Sequence, residues 1–104
     1  MGNTGMKTVS LPEILAVLRG LKEEASRKYK AELKGIFGSY VRGQENPGSD
    51  LDVLVEFNKG ANLIDLVGLS LFLEEKLHCS VDVVPQSALR KELKSDILNE
   101  MVAV

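Results

Sequence analysis

One cysteine, Cys79, and one histidine, His78, are all that 104 residues supply of either type. A lone thiol allows no internal disulfide, so packing must hold the fold, and the chain suits a reducing, cytoplasmic compartment. One His beside one Cys falls short of the roughly four ligands of a zinc site, and His78 reads as a structural or exposed residue. Long apolar runs are also missing. Nothing approaches the ~20 residues of a membrane span, and Met1–Gly5 has no apolar secretory core. An excess of basic charge is missing too: 13 Lys and Arg stand against 15 Asp and Glu, a net charge of −2. That argues against non-specific nucleic-acid binding, which needs many cations to displace counterions from phosphates. A single nucleotide stays open as a ligand, because a metal can supply the positive charge.

What is there is ordinary for a soluble globular chain, with 44% hydrophobic and 27% charged residues. The polar, Gly-containing Met1–Gly5 precedes a second methionine, Met6, and reads as an expression remnant. The remainder, 6–104, is expected to form a single domain around one core. No repeat, low-complexity tract or linker interrupts it.

Ser10-Leu11-Pro12-Glu13 predicts a helix start, with Ser10 as cap and Glu13 closing a capping box. Leu11, Ile14, Leu15, Leu18, Leu21 and Ala25 follow at helical spacing, and the helix should end near Tyr29. A short strand is expected over Leu33–Phe37, broken by Gly38-Ser39, with a short helical turn to Gly43. Residues 44–49 have loop composition. Asp50 to Phe57 is the clearest strand, with Leu51, Val53, Val55 and Phe57 on one face and Asp50, Asp52, Leu54 and Glu56 on the other. Asn58-Lys59-Gly60 is a turn. Leu63–Leu77 predicts a helix that is apolar on more than one side, so it is either deeply buried or also faces a partner. Val81–Val84 is a third strand ended by Pro85. Ser87 to about Met101 reads as one or two short helices, and Val102-Ala103-Val104 as an edge strand. The fold class is α/β (α+β), a small mixed β-sheet flanked by helices.

Three features could carry chemistry. Asp50 and Asp52 point to one side of a strand, with Cα atoms roughly 6.5 Å apart. Carboxylates so close repel each other, and a divalent cation resolves the repulsion; Mg²⁺ takes one or two carboxylates, waters and substrate phosphates. Taken alone, the pair reads equally as two strand-end aspartates facing water. Gly38 lets a backbone approach a phosphate, and Ser39 can open a turn whose N–H groups and hydroxyl bind anionic oxygens. Alone, this is an ordinary strand-to-helix turn. Asp82 interrupts an apolar strand and is costly unless paired, exposed or metal-bound. If the third strand lies beside the second, Asp82 joins the carboxylates and could take a proton from an attacking hydroxyl; otherwise it is an edge-strand Asp facing solvent. Arg90, Lys91 and Lys94 form a small basic segment, read as a solvated helix face.

The combination is more specific than its parts. Gly38-Ser39, ten intervening residues, then Asp50-Leu51-Asp52 resembles the motif of the DNA polymerase beta nucleotidyltransferase superfamily. The runs Phe37–Gly43, Gly48–Val55, Leu63–Val67, Val81–Val84 and Ala88–Arg90 are similar to its minimal, stand-alone branch over nearly all of Met6–Val104. The resemblance implies a polymerase-beta-like core that moves a nucleotide from ATP or another nucleoside triphosphate to an acceptor. It implies that Asp50 and Asp52 hold two Mg²⁺ ions, and that Asp82 is a further ligand and the general base. Gly38 and Ser39 would cradle the triphosphate, Ser49 would assist, and Arg42 would either contact phosphate or pair with an acid. Val41 stands where the family often has Ala, and His78-Cys79-Ser80 where relatives more often show Gly and a basic residue.

Larger superfamily members append a domain that grips the acceptor, and none is apparent here. The stand-alone branch resembles antitoxins that transfer AMP to a tyrosine of a HEPN-domain toxin. The resemblance therefore implies a HEPN-domain partner, docked on the apolar sides of Leu63–Leu77 or of the first helix; a homo-oligomer is a further arrangement. Two other readings stand beside it: an antitoxin that neutralises by binding alone, and a nucleotidyltransferase for a small molecule such as an aminoglycoside-like acceptor. The presence of all three aspartates favours catalysis over the first, and the missing second domain argues against the other.

Overall fold

A computed structural model describes residues 10–46 and 48–104. The expected remnant at 1–5 lies outside the described residues, as does Pro47 of the 44–49 loop.

The first helix, α1 (Leu11–Tyr29), begins as its local chemistry dictates. The Ser10 hydroxyl accepts from the Glu13 N–H, and the Glu13 carboxylate accepts from the Ser10 N–H at 3.1 Å. It ends at Lys30, which turns left-handed at φ 55°. The chain passes straight into β1 (Ala31–Phe37), two residues earlier than expected. A four-residue helix α2 (Ser39–Arg42) follows, then the loop and β2 (Leu51–Phe57). The second strand begins one residue later than expected. Its first rung is the Leu51 N–H to Ser80 carbonyl bond, and Asp50 stands just outside.

Asn62 caps α3 (Leu63–Leu77), its side-chain oxygen accepting from the N–H groups of Ile64 and Asp65 at 2.9 and 3.2 Å. The third strand β3 (Val81–Pro85) leads through a 3₁₀ turn, Gln86–Ala88, to α4 (Lys91–Glu100) and the edge strand β4 (Val102–Ala103). The expected one or two helices after Ser87 are thus a 3₁₀ turn and one helix.

The four strands form a mixed sheet in the order β3-β2-β1-β4. The first strand runs antiparallel to both neighbours, and β2 runs parallel to β3 with α3 as the crossover. One face packs under α1 and α3. Ile14, Leu18, Leu69 and Leu73 meet Leu33, Ile36, Leu51, Val53 and Val55 there, all at most 2% exposed. Each such side chain contributes about 1.5–3 kcal/mol of burial free energy. The two helices approach closely because Gly68 leaves room for the Tyr29 ring, which lies 5.4 Å from that of Phe72.

The alternation expected for β2 holds, with one addition. Leu54, on the face away from α1 and α3, is also fully buried. Its register neighbours are Gly35 and Val84, and the Met101 side chain fills the place a Cβ would take at Gly35. A β-bulge between Leu33 and Gly35 keeps the two faces in phase across β1 and β2. Among the described residues, no helix is long and apolar enough to cross a membrane.

Candidate active site

The parallel register of β2 and β3 builds the site. Leu51 pairs with Val81 and Val53 with Val83, so Asp52 falls opposite Asp82. Side chains alternate along a strand; with Leu51, Val53, Val81 and Val83 in the core, both carboxylates project from the opposite face. Asp52 is half-buried and Asp82 exposed. The Asp52 carboxyl is pushed up from 3.8 to about 6. Burial is the main cause, the charges of Asp82 and Asp50 add to it, Arg42 opposes it, and a hydrogen bond with Asp82 completes the set. Negative charge is therefore concentrated here beyond what the nearby cation balances.

Asp50 is exposed and stands at the entrance to β2. Its charge reaches Asp52, and it also raises the Tyr40 hydroxyl and the Cys79 thiol, in each of which burial is the larger cause. The three aspartates do not close into a preformed cage. Among the described residues, no group of three or more His, Cys, Asp or Glu side chains is arranged to hold a metal ion by itself. The donor set nevertheless fits a hard divalent cation. It is all oxygen, it is open on one side, and its repulsion falls when a cation enters; Mg²⁺ commonly completes its octahedron with water and substrate phosphates.

The first strand delivers the second half of the site. Phe37 pairs with Asp52, which sets Gly38 directly beside that carboxylate. A Cβ at Gly38 would collide with Asp52 Oδ2, and Gly38 has φ 85° and ψ −152°, which glycine adopts readily. Ser39 opens α2, so its N–H and that of Tyr40 have no intrahelical carbonyl to bond. These donors, the Ser39 hydroxyl and the bare backbone of Gly38 suit an anionic oxygen.

Arg42 closes α2. Its Nη1 lies 3.0 Å from each oxygen of Glu100, and its Nε donates to Gln44 Oε1 at 3.1 Å. Of the two roles open to Arg42 in the sequence, pairing with an acid is the contact present here. Ser49 is committed to its loop: its hydroxyl accepts from the Asn46 N–H at 3.0 Å, and its N–H donates to the Asn46 carbonyl. Gly38, Ser39, Asp50, Asp52 and Asp82 are thus brought to one end of the sheet. Ser49 and Arg42 border it.

Glu100 is the neighbour of Gly38 and Arg42 that sequence reasoning missed. It is 58 residues from Arg42, and no local spacing links the two. His78 is exposed and serves as the left-handed residue that ends α3, its N–H donating to the Glu74 carbonyl at 2.8 Å. Arg90, Lys91 and Lys94 are exposed, as a solvated face requires.

Comparison with known proteins agrees with this geometry. Residues 18–104 match the family described as the nucleotidyltransferase domain. The protein adenylyltransferase MntA of Thermococcus cleftensis is 35% identical over 99 residues, covering 95% of this chain and all of that protein. A candidate protein adenylyltransferase of Methanocaldococcus jannaschii is 46% identical over 77 residues, 74% of this chain and 83% of that one. Among solved structures, a candidate minimal nucleotidyltransferase superposes with a TM-score of 0.70 at 34% identity, covering 86% of this chain and 95% of the other. A toxin–antitoxin crystallised with AMP-PNP shares the fold, with a TM-score of 0.62 at 24% identity over 78% and 67% of the two chains.

Proposed function

Because the chain belongs to the nucleotidyltransferase domain family and is a nucleotidyltransferase, we propose that it transfers AMP from ATP to a tyrosine hydroxyl of a HEPN-domain toxin and so acts as a cytoplasmic antitoxin. Residues 6–104 are the single catalytic domain in this reading, and Mg²⁺ is its cofactor. The observation that carries it is the pairing of Asp52 with Asp82 beside the Gly38-Ser39 turn. Adenylyl transfer to protein is suggested by the MntA relative, and an adenine nucleotide with a toxin partner by the toxin–antitoxin bound to AMP-PNP.

In this reading Gly38 and Ser39 hold the triphosphate, Ser49 supports the loop at its rim, and Arg42 adds positive charge. Asp50, Asp52 and Asp82 are the ligands for two Mg²⁺ ions, which when bound neutralise phosphate charge and favour attack at phosphorus. Asp82, the exposed member of the strand pair, accepts the proton of the attacking hydroxyl. The acceptor oxygen bonds to the α-phosphorus, the bond to the β-phosphate breaks, and pyrophosphate leaves. The chain's main contribution is orientation and charge complementarity.

A protein acceptor is favoured by the outer face of α3. Leu63, Ile64, Val67 and Leu71 recur along it at helical spacing and are 70%, 79%, 51% and 62% exposed. That stripe is our candidate docking surface for the toxin.

Incubation with Mg²⁺ and ATP labelled at the α-phosphate, with and without the HEPN partner, tests the proposal. Label should appear on a partner tyrosine, and Asp50→Asn should abolish it while leaving the complex intact. A stable complex that never acquires label would replace catalysis by neutralisation through binding alone. Label on a small acceptor but never on the protein would move the activity to small molecules.

A further inference from the structure

We propose that Glu100 is a positioning residue: its carboxylate ties both ends of the Gly38–Arg42 turn and so sets the shape in which that turn receives a triphosphate. The inference rests on the nucleotide-binding reading of the same turn.

Packing holds the middle of the turn, where Tyr40 and Val41 rest against the core. Its ends have less: Gly38 is conformationally permissive, α2 has no side-chain cap, and Arg42 is exposed. Glu100 ties those two ends together. Its Oε1 accepts from the Gly38 N–H at 3.4 Å, and its two oxygens each lie 3.0 Å from Arg42 Nη1. One carboxylate thereby spans the first and last residues of the segment. The Arg42–Gln44 bond holds the guanidinium in the orientation this needs.

Glu100 is itself held in place. It is the last residue of α4, and the next residues are anchored. Met101 packs over Gly35, while Val102 and Ala103 pair with Ile36 and Gly35 of β1. The strand that leads into the turn and the strand that follows Glu100 are therefore neighbours in one sheet, and the carboxylate is presented from a fixed edge. The ion pair is half-exposed, with side-chain exposures of 47% and 34%, and such a pair contributes little to global stability. Its effect belongs in nucleotide binding.

Titrating the full chain with a fluorescent ATP analogue and Mg²⁺ tests this without needing the acceptor. Glu100→Ala should weaken binding about tenfold, from loss of charge-assisted hydrogen bonds, while the melting temperature stays close to wild type. Glu100→Gln keeps an acceptor for the Gly38 N–H and should recover much of the loss. If Glu100→Ala does not fold, Glu100→Asp serves: it keeps the charge but draws the carboxylate back by one methylene, and should weaken binding in the same direction. Unchanged affinity in these variants overturns the proposal. Tighter binding also overturns it, since the carboxylate would then be a competitor of phosphate. Affinity that falls only in step with melting temperature, without rescue by Glu100→Gln, reduces Glu100 to a structural role. A wild-type chain that binds no nucleoside triphosphate removes the nucleotide reading itself; a wild-type chain that binds alongside an unaffected Glu100→Ala removes only the role of Glu100.

Discussion

At Asp52 the folded protein holds a carboxyl with a pKa of about 6 against an ordinary 3.8, mainly through burial and then through Asp82 and Asp50. A raised carboxyl pKa means that the folded state binds the proton more tightly than the unfolded chain. The stability this brings is complete below about pH 4 and is lost as pH rises through about 6. Asparagine mimics the neutral acid. In a metal chelator, Asp52→Asn should therefore melt at a higher temperature than wild type at pH 7.5, and the gap should close as pH falls toward 4. A gap independent of pH would remove Asp52 as its source. The same variant should lose activity, because asparagine removes a charged oxygen that would hold the cation. Part of this residue pattern is legible without coordinates: strand alternation puts Asp50 and Asp52 on one face, and the resemblance to the nucleotidyltransferase superfamily joins them to Gly38-Ser39 and Asp82. Glu100 was not, because only the sheet brings it to Arg42.

At the level of elements, the legible parts were those specified by neighbours in sequence. Ser10 and Glu13 announced α1, and the apolar run of α3 matches its extent, Leu63–Leu77. The boundaries that moved are those set by tertiary bonds. Ala31 and Glu32 have no β-branched or aromatic character to mark a strand, yet they pair with Phe57 and Glu56. Asp50 looks like part of an alternating strand, but the ladder starts at Leu51. His78 offers a test at this scale. It ends α3 at φ 57°, where a Cβ is crowded, and its side chain is exposed. His78→Gly should relieve that strain at a smaller cost in backbone entropy, with a net gain of about 0.5–1 kcal/mol. In a domain of this size that is a rise of about 2–8 °C in melting temperature.

At the level of the whole molecule, the fold class was legible because the elements alternate and fit a single small sheet, whereas the strand order was not. Whether Asp82 joined Asp52 depended on β3 lying beside β2, which no local pattern decides. The pairing has a global signature. If a divalent cation binds the folded carboxylates and not the unfolded chain, stability should rise by about 1.4 kcal/mol at ten times its Kd. Calorimetry with Mg²⁺ against chelator should show that rise in wild type and lose it in Asp52→Asn or Asp82→Asn. An equal shift in all three proteins would place the cation elsewhere.

The register of β2 against β3 also sets which kinds of genetic change the molecule can absorb. Along these strands, odd-numbered positions face the helices and even-numbered ones face the side of the sheet that carries Asp52 and Asp82. A substitution at Val81 or Val83 that keeps an apolar side chain leaves that alternation alone. Deleting one residue between Leu77 and Asp82 does not: unless the short connection takes up the slack, the whole strand shifts by one and Asp82 turns toward Leu69 and Leu73. The segment from Leu77 to Asp82 should therefore tolerate changes of letter far better than changes of length.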